Sequence, residues 1–231
     1  MHQEQLLPIA GNSGTRNRRI YFAGKRAMDL VLAAIGLVLA TPAMLLIALL
    51  IKLDSAGPVL FKQTRLGRGG RPFTFYKFRT MYQNAGHELH RQYVQSLIRN
   101  EIPQNGSSDP PTASVFKLTR DPRITRVGRF LRRTSLDELP QIFNVIKGEM
   151  SLVGPRPPLP YEVEEYQDWH RGRLTAIPGI TGLWQVRGRS RVPFDEMVRM
   201  DLDYIARQSL WLDFRILLLT IPAVISGNGA E

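Results

Sequence analysis

The chain of 231 residues contains no cysteine, which excludes disulfides, thiolate nucleophiles and thiolate metal sites. Acidic residues are also scarce, 20 against 31 Lys plus Arg, leaving a formal net charge of +11. Among the cations lysine is the minor one, six against 25 arginines. The bias favours the planar, bidentate cation that grips phosphate and carboxylate. The partners are therefore expected to be anionic: nucleic acid, acidic lipid headgroups or phosphorylated metabolites. No internal repeat is present, and no reading helix or RNA-binding signature occurs, so a nucleic-acid module rests on net charge alone. Nor is there a Walker A loop or a dinucleotide fingerprint. The glycine-bearing stretch "IPGITGLWQVRGRS" places Gly179, Gly182 and Gly188 beside Trp184, Arg187 and Arg189, and a tight turn accounts for it without a nucleotide.

Charge is absent altogether from residues 30 to 51, "LVLAAIGLVLATPAMLLIALLI". A polar lead precedes this run and no small-residue cleavage site ends it, so it is read as part of the mature protein rather than a signal peptide. As one straight helix it would extend roughly 33 Å, enough for a hydrocarbon core of about 30 Å. Two features oppose a span. Pro42 interrupts the hydrogen-bond ladder near the bilayer midplane, and Thr41 can repair the break by bonding back to a carbonyl one turn earlier, which permits a sharp kink. Both flanks are basic, Arg16, Arg18, Arg19, Lys25 and Arg26 before and Lys52, Lys62, Arg65, Arg68 and Arg71 after, which favours keeping both on the cytoplasmic side. A kinked transmembrane helix and a re-entrant hairpin of two half-helices bent at Thr41-Pro42 both remain open on these residues.

The length suits one catalytic unit. Residues 1–19 read as a flexible polar lead, 20–53 as the membrane helix and 54–231 as the catalytic domain. After the membrane run, two β-type stretches flank Gly67-Arg68-Gly69-Gly70 and predict a hairpin, with Phe73, Phe75, Lys77 and Arg79 on one face. Residues 82–101 read as a polar helix and "IPQNGSSDPPTAS" as a loop. The C-terminal "SLWLDFRILLLTIPAVIS" carries Asp213 and Arg215 on an otherwise apolar segment, suited to a helix at a membrane surface with Trp211 at the interface. The fold class expected is α+β, mostly helical, with a small β-hairpin and surface amphipathic helices at the membrane interface.

In "RVGRFLRRTSLDELPQIFNVIKGEMSLVGPRPPLP", Ser135 and Glu138 have capping-box spacing, which would make the acids mere helix-start residues. In Gly154-Pro155-Arg156-Pro157 the arginine is held extended between prolines. The alternative to a pure cap lies in the surroundings of Asp137 and Glu138, among Arg132, Arg133, Arg156 and Arg189. Neighbouring carboxylates are tolerated where cations neutralise them, and a hard divalent ion such as Mg²⁺ is the usual partner of carboxylate plus phosphate oxygens. Together with the membrane run this points to phosphoryl chemistry on a lipid.

The stretches "PVLFKQTRLG", "FYKFRTM", "DPRITRVGRFLRRTSLDELPQIFNVIKGEMSLVGPRP", "PGITGLWQVRGRS" and "SLWLDFRILLLT" resemble the bacterial sugar transferase family, the monotopic phosphoglycosyl transferases, over about residues 20 to 228. The likeness is to the undecaprenyl-phosphate hexose-1-phosphate transferase type of exopolysaccharide and glycoconjugate pathways. It implies transfer of a sugar-1-phosphate from a UDP-hexose to polyprenyl phosphate, release of UMP, a Mg²⁺ requirement and a covalent enzyme intermediate. By motif, Asp137 would be the nucleophile and Glu138 its partner in metal binding or proton handling. Lys77, Arg79, Arg132, Arg156 and Arg189 would bind substrate phosphate, and Asp213 matches a further acidic position of open role. The resemblance further implies a re-entrant hairpin, usually bent at Ser-Pro where this chain has Thr41-Pro42, on the cytoplasmic face of a bacterial inner membrane. Polyprenyl phosphate and membrane lipid are its implied partners, nucleic acid is not, and a homodimer is compatible with it. A nucleotide-sugar hydrolase using the same acid pair with water as acceptor is the competing enzyme class.

Overall fold

The computed structural model describes residues 14–83, 95, 98–99, 123–187 and 192–226. Most of the stretch expected to be a polar helix over 82–101, and all of the loop after it, lies outside the described residues. Helix α1, Gly14–Asp54, is a single unbroken element of 41 residues with Pro42 inside it. It begins within the stretch assigned to the polar lead. Thr41 Oγ1 donates to Leu37 O at 2.6 Å, the back-bond anticipated for the Thr-Pro step. α1 is the one helix among the described residues that is long and apolar enough to cross a membrane, and only 11% of its most apolar window is buried within the protein. It is not a soluble core helix.

Both halves of α1 nevertheless rest on the same body. Lys25, Asp29 and Ala33 are buried in the first half and Ile47 and Ile51 in the second, while no residue from 34 to 46 is buried. Arg26 donates to the Val145 and Ile146 carbonyls, and Asp29 accepts from Leu152 N. At the far end Asp54 Oδ2 accepts from Val127 N. Straight, 41 residues would extend roughly 60 Å. The exposed middle carries Val38, Leu39, Leu45 and Leu46, apolar side chains with no protein to cover them.

Strands β1, Leu60–Leu66, and β2, Pro72–Phe78, form the expected antiparallel hairpin across a 3₁₀ turn at Arg68–Gly70. Gly69 and Gly70 have φ of 70° and 72°, the left-handed region where a side chain would be strained. The register pairs Phe61 with Lys77, Gln63 with Phe75 and Arg65 with Phe73, so these six side chains share one face. Helix α2, Arg126–Thr134, leads into a 3₁₀ segment, Leu136–Gln141, and then helix α3, Ile142–Lys147.

A second, parallel pair was not anticipated: β3, Ser151–Val153, against β4, Gly179–Thr181. Gly154, Gly179 and Gly182 lie where these two backbones touch, with Gly154 N donating to Thr181 O and Gly179 N to Pro155 O, both at 2.9 Å. A Cβ at these positions would strike the neighbouring main chain. The glycine-bearing motif is therefore a close approach of backbones that fixes the root of the Arg156 loop. Helices α4, Pro160–Glu164, and α5, Leu183–Arg187, pack with α6, Phe194–Ala206, around Tyr166, Trp184, Phe194 and Val198. Helix α7, Leu210–Ser226, buries Asp213 and Ile216 and exposes Trp211 (72%), Phe214, Leu218 and Ile221. Its apolar side therefore faces outward, as expected of a surface helix.

Candidate active site

Ser135 has φ 56° and closes α2, its N–H bonding to the Leu131 and Arg132 carbonyls. Its side chain makes no cap bond to the 3₁₀ segment that follows. The capping-box reading of the acid pair is thereby excluded. What the left-handed residue does is turn the chain so that Asp137 and Glu138 occupy the first turn of the 3₁₀ segment, which packs on β2. Asp137 is 7% exposed, a carboxylate out of water.

Its surroundings are cationic. Lys77, across on β2, is lowered to about 8 by burial, with Asp137 opposing the shift and Arg65, Arg156 and Arg132 adding to it. Asp137, Arg65, Arg132 and Arg156 thus all lie within electrostatic reach of Lys77. Glu138 Oε1 meets Arg156 Nη1 at 3.4 Å. Rings shape the same face: the Arg65 guanidinium lies 5.2 Å from the Phe75 centroid and Lys77 Nζ 5.4 Å from that of Phe61.

The loop carrying Arg156 is held from below by two buried guanidiniums. Arg65 Nη1 donates to Pro157 O at 2.8 Å while its Nε and Nη2 bond Gln63 Oε1. Arg173 Nη2 donates to Arg156 O at 3.4 Å, and its Nε and Nη1 bond Asp201 Oδ2 and Tyr166 Oη at 2.8 and 2.9 Å. Burial raises the Asp201 carboxyl to about 6 against the pull of Arg173. Neither Arg65 nor Arg173 was singled out as a site residue from the sequence. Period-2 alternation applied to β1 would have found Arg65, since it shares the face of Lys77. No period or motif marks Arg173, whose partners lie 7, 17 and 28 residues away.

The model of the bacterial sugar transferase family matches residues 20–227. This chain belongs to that family. It is 43% identical over 212 residues to galactosyl transferase CpsE of Streptococcus agalactiae, covering 91% of this chain and 44% of that protein. It is 42% identical over 229 residues to the undecaprenyl-phosphate galactose phosphotransferase of Salmonella typhimurium, covering 99% of this chain and 45% of that one. It is also 39% identical over 206 residues to the exopolysaccharide production protein ExoY of Rhizobium meliloti, covering 89% of this chain and 87% of that one. The chain thus spans less than half the length of the first two relatives and most of the third.

Two site residues of the family motifs have other occupations here. Arg79 was expected to bind phosphate, but its Nη2 bonds Ser55 O at 2.6 Å, Ser55 Oγ at 2.9 Å and Ile51 O at 3.3 Å. It closes the C-terminal end of α1, where carbonyls lack helical partners and attract a cation. Asp213, the acidic position of open role, has no exposure and is spent on three partners. Lys25 Nζ and Tyr21 Oη donate to its Oδ2 at 2.9 and 3.0 Å, and Tyr204 Oη donates to Oδ1 at 2.6 Å. It ties α7 to the start of α1. Arg189 lies outside the described residues. Asp137, Arg132 and Arg156 lie within electrostatic reach of Lys77, and Arg156 meets Glu138.

Among the described residues no three His, Asp or Glu side chains converge as a metal cage. The acid pair nonetheless fits Mg²⁺, which typically takes one or two carboxylates and completes its shell with substrate phosphates and water.

Proposed function

We propose that this chain transfers a hexose-1-phosphate from a UDP-hexose to polyprenyl phosphate, releasing UMP, through a covalent aspartyl intermediate. The observation that carries the reading is the buried Asp137 carboxylate within electrostatic reach of Lys77, on which Arg65, Arg132 and Arg156 also act. An unsubstituted carboxylate is a competent nucleophile toward phosphorus, and surrounding cations stabilise the charge on the transferring group. An Asp137 oxygen attacks the β-phosphorus; the bond to the bridging oxygen breaks, and UMP departs with that oxygen. An oxygen of polyprenyl phosphate then attacks the same phosphorus and Asp137 leaves as the free carboxylate. Asp137 and Glu138 would hold Mg²⁺, which when bound neutralises diphosphate charge. Arg156, placed by its loop, grips phosphate oxygens in a bidentate fashion.

The relatives named for undecaprenyl phosphate support the lipid acceptor. Relatives named for galactose and for glucose stand at the same 42% identity, so similarity does not choose the hexose. UMP release across a panel of UDP-sugars with undecaprenyl phosphate tests the reading and names the sugar. Release at many turnovers without the lipid would instead identify a nucleotide-sugar hydrolase.

The same reading places α1 as a re-entrant helix in the inner membrane, bent at Thr41-Pro42, with the catalytic body on the cytoplasmic face. Its support is that Lys25 and Asp54, near the two ends of the apolar segment, are both bonded to that body, while a spanning helix carries its ends to opposite sides. Single cysteines at Arg19 and Gln63 in this cysteine-free chain should resist a membrane-impermeant thiol reagent in intact spheroplasts and react once the membrane is opened. Labelling of just one site in intact spheroplasts would establish a span.

A further inference from the structure

Gln63 stands on the face of β1 that carries Arg65 and, across the hairpin, Lys77, while its neighbours Lys62 and Thr64 lie on the other face and are exposed. The register sets Gln63 opposite Phe75, so Lys77 is its diagonal neighbour and Arg65 is the next residue along the same face. Both of those cations belong to the candidate site: Asp137 acts on Lys77, and Arg156 and Glu138 act on Arg65. Gln63 therefore lies on the floor between the residue beside Asp137 and the residue that holds the Arg156 loop.

The contacts fix which way its amide points. Oε1 accepts from Arg65 Nε at 3.2 Å and from Nη2 at 3.0 Å, and a guanidinium can only donate, so oxygen must be the atom that faces it. Nε2 is thereby turned away from Arg65, and among the described residues it makes no hydrogen bond, although Gln63 is only half exposed. The structural use of this side chain ends at its oxygen, which steadies the guanidinium whose Nη1 holds Pro157 O at 2.8 Å. Two N–H donors are left over. Lys77 and Arg65 offer them no lone pair, so their complement is an anion drawn in by the same cations.

We propose that Gln63 Nε2 donates to a non-bridging oxygen of the phosphoryl group in transfer, as a neutral oxyanion donor set between Lys77 and the Arg156 loop. This deepens the transferase reading and rests on it. Position selects that phosphoryl over the rest of the substrate: a phosphorus attacked by Asp137 and gripped by Arg156 has to lie between them, over the part of β1 where Gln63 stands. Charge spreads over the equatorial oxygens as the group passes from one oxygen to the other, and a donor already oriented by Arg65 stabilises it without reorganising. A neutral amide also supplies this hydrogen bond without adding another cation beside Lys77, whose charged form burial and the nearby arginines already disfavour.

Two substitutions separate the donor from the support of Arg65. Gln63→Glu keeps two acceptor oxygens for the guanidinium and removes the donors, whereas Gln63→Met is neutral and removes both. UMP release is measured with undecaprenyl phosphate and with UDP-galactose or UDP-glucose, whichever the chain turns over, beside a melting curve for each variant. The expected result at saturating substrate is a loss of about 100- to 1000-fold in both, with Gln63→Glu melting no lower than wild type. Wild-type rates in Gln63→Glu would reduce Gln63 to a support for Arg65, and wild-type rates in Gln63→Met would leave it no role; either overturns the inference.

A substrate with sulfur in place of one non-bridging β-oxygen gives a readout that a structural role would not move, since sulfur is a weak acceptor. The preference of the wild type for one of the two diastereomers should exceed that of Gln63→Met by roughly tenfold. An identical preference in both enzymes overturns the contact even if both variants are slow. A wild type that releases no UMP from any UDP-hexose overturns the transferase reading and this inference with it. A wild type that releases UMP but never carries an adduct overturns the aspartyl step alone, and the rate and sulfur measurements still decide the Gln63 contact.

Discussion

Arg156 Nη1 and Glu138 Oε1 stand 3.4 Å apart, joining the proline-flanked loop to the acid pair 18 residues earlier. Both side chains remain partly exposed, so as an ion pair the contact is worth only about 0–1 kcal/mol of stability. Its value lies in aiming the guanidinium. Arg156→Lys keeps the charge and loses the planar fork. It should leave the thermal midpoint within a few degrees of wild type while lowering the rate of UMP release by about 2 to 4 kcal/mol, roughly 30- to 1000-fold. Steady-state kinetics beside a melting curve would check it, and an unimpaired Lys variant would assign Arg156 to the turn alone.

Lys77 gives a pH prediction. Its folded-state pKa of about 8 lies below the ordinary 10.5, chiefly through burial, so the ammonium is present below about 8 and lost above it. Activity that needs this cation should fall as pH rises through about 8. Stability moves the other way: the unfolded chain binds more protons at this residue between about 8 and 10.5, so folding is favoured as pH rises there. A falling rate in that window therefore reports the site and not unfolding. In Lys77→Arg the alkaline limb should shift beyond the measured range; an unchanged limb would remove Lys77 from the account.

Arg173 acts through Arg156. Asp201→Asn leaves a buried guanidinium without its counter-charge and should destabilise the fold by about 3–5 kcal/mol. The double variant Arg173→Met/Asp201→Leu removes both charges and should regain most of that stability. Its UMP release should stay low at saturating substrate, because the Arg156 carbonyl has lost its donor. Full activity in a folded double variant would reduce the pair to packing.

Lys25 and Asp213 form the corresponding brace between α1 and α7. Asp213→Ala takes away the carboxylate that bonds the buried Lys25 ammonium and should destabilise the fold by about 3–5 kcal/mol. Unlike the Arg173 pair, Lys25→Met/Asp213→Leu should recover activity together with stability in detergent, since neither charge is among those that act on Lys77 beside Asp137.

The parts legible in the sequence were those governed by local rules. The Thr41 back-bond, the β1–β2 hairpin and the outward apolar side of α7 follow from spacing, turn chemistry and polarity within a few residues. The placing of Lys77 with Asp137 needed the family motifs, because 60 residues separate them. What was not legible depended on contacts made by long side chains. Arg79 continues the alternation of β2, yet its flexible stem carries the head back to the end of α1. Asp213 looks like any polar residue on an apolar helix until Lys25 and two tyrosines converge on it. The parallel β3–β4 pair was hidden because three-residue strands have no period to detect, and its glycines read as a turn.

The covalent step is the central claim, and intact-mass spectrometry measures it. Wild-type enzyme incubated with Mg²⁺ and its cognate UDP-hexose, without polyprenyl phosphate, should release UMP in an amount bounded by the enzyme present and gain the mass of one hexose phosphate. Asp137→Asn should carry no adduct, and added polyprenyl phosphate should discharge the wild-type adduct to lipid. An enzyme that forms lipid-linked sugar in a sequential ternary complex and never carries the adduct would contradict the account and make Asp137 a metal ligand instead of a nucleophile.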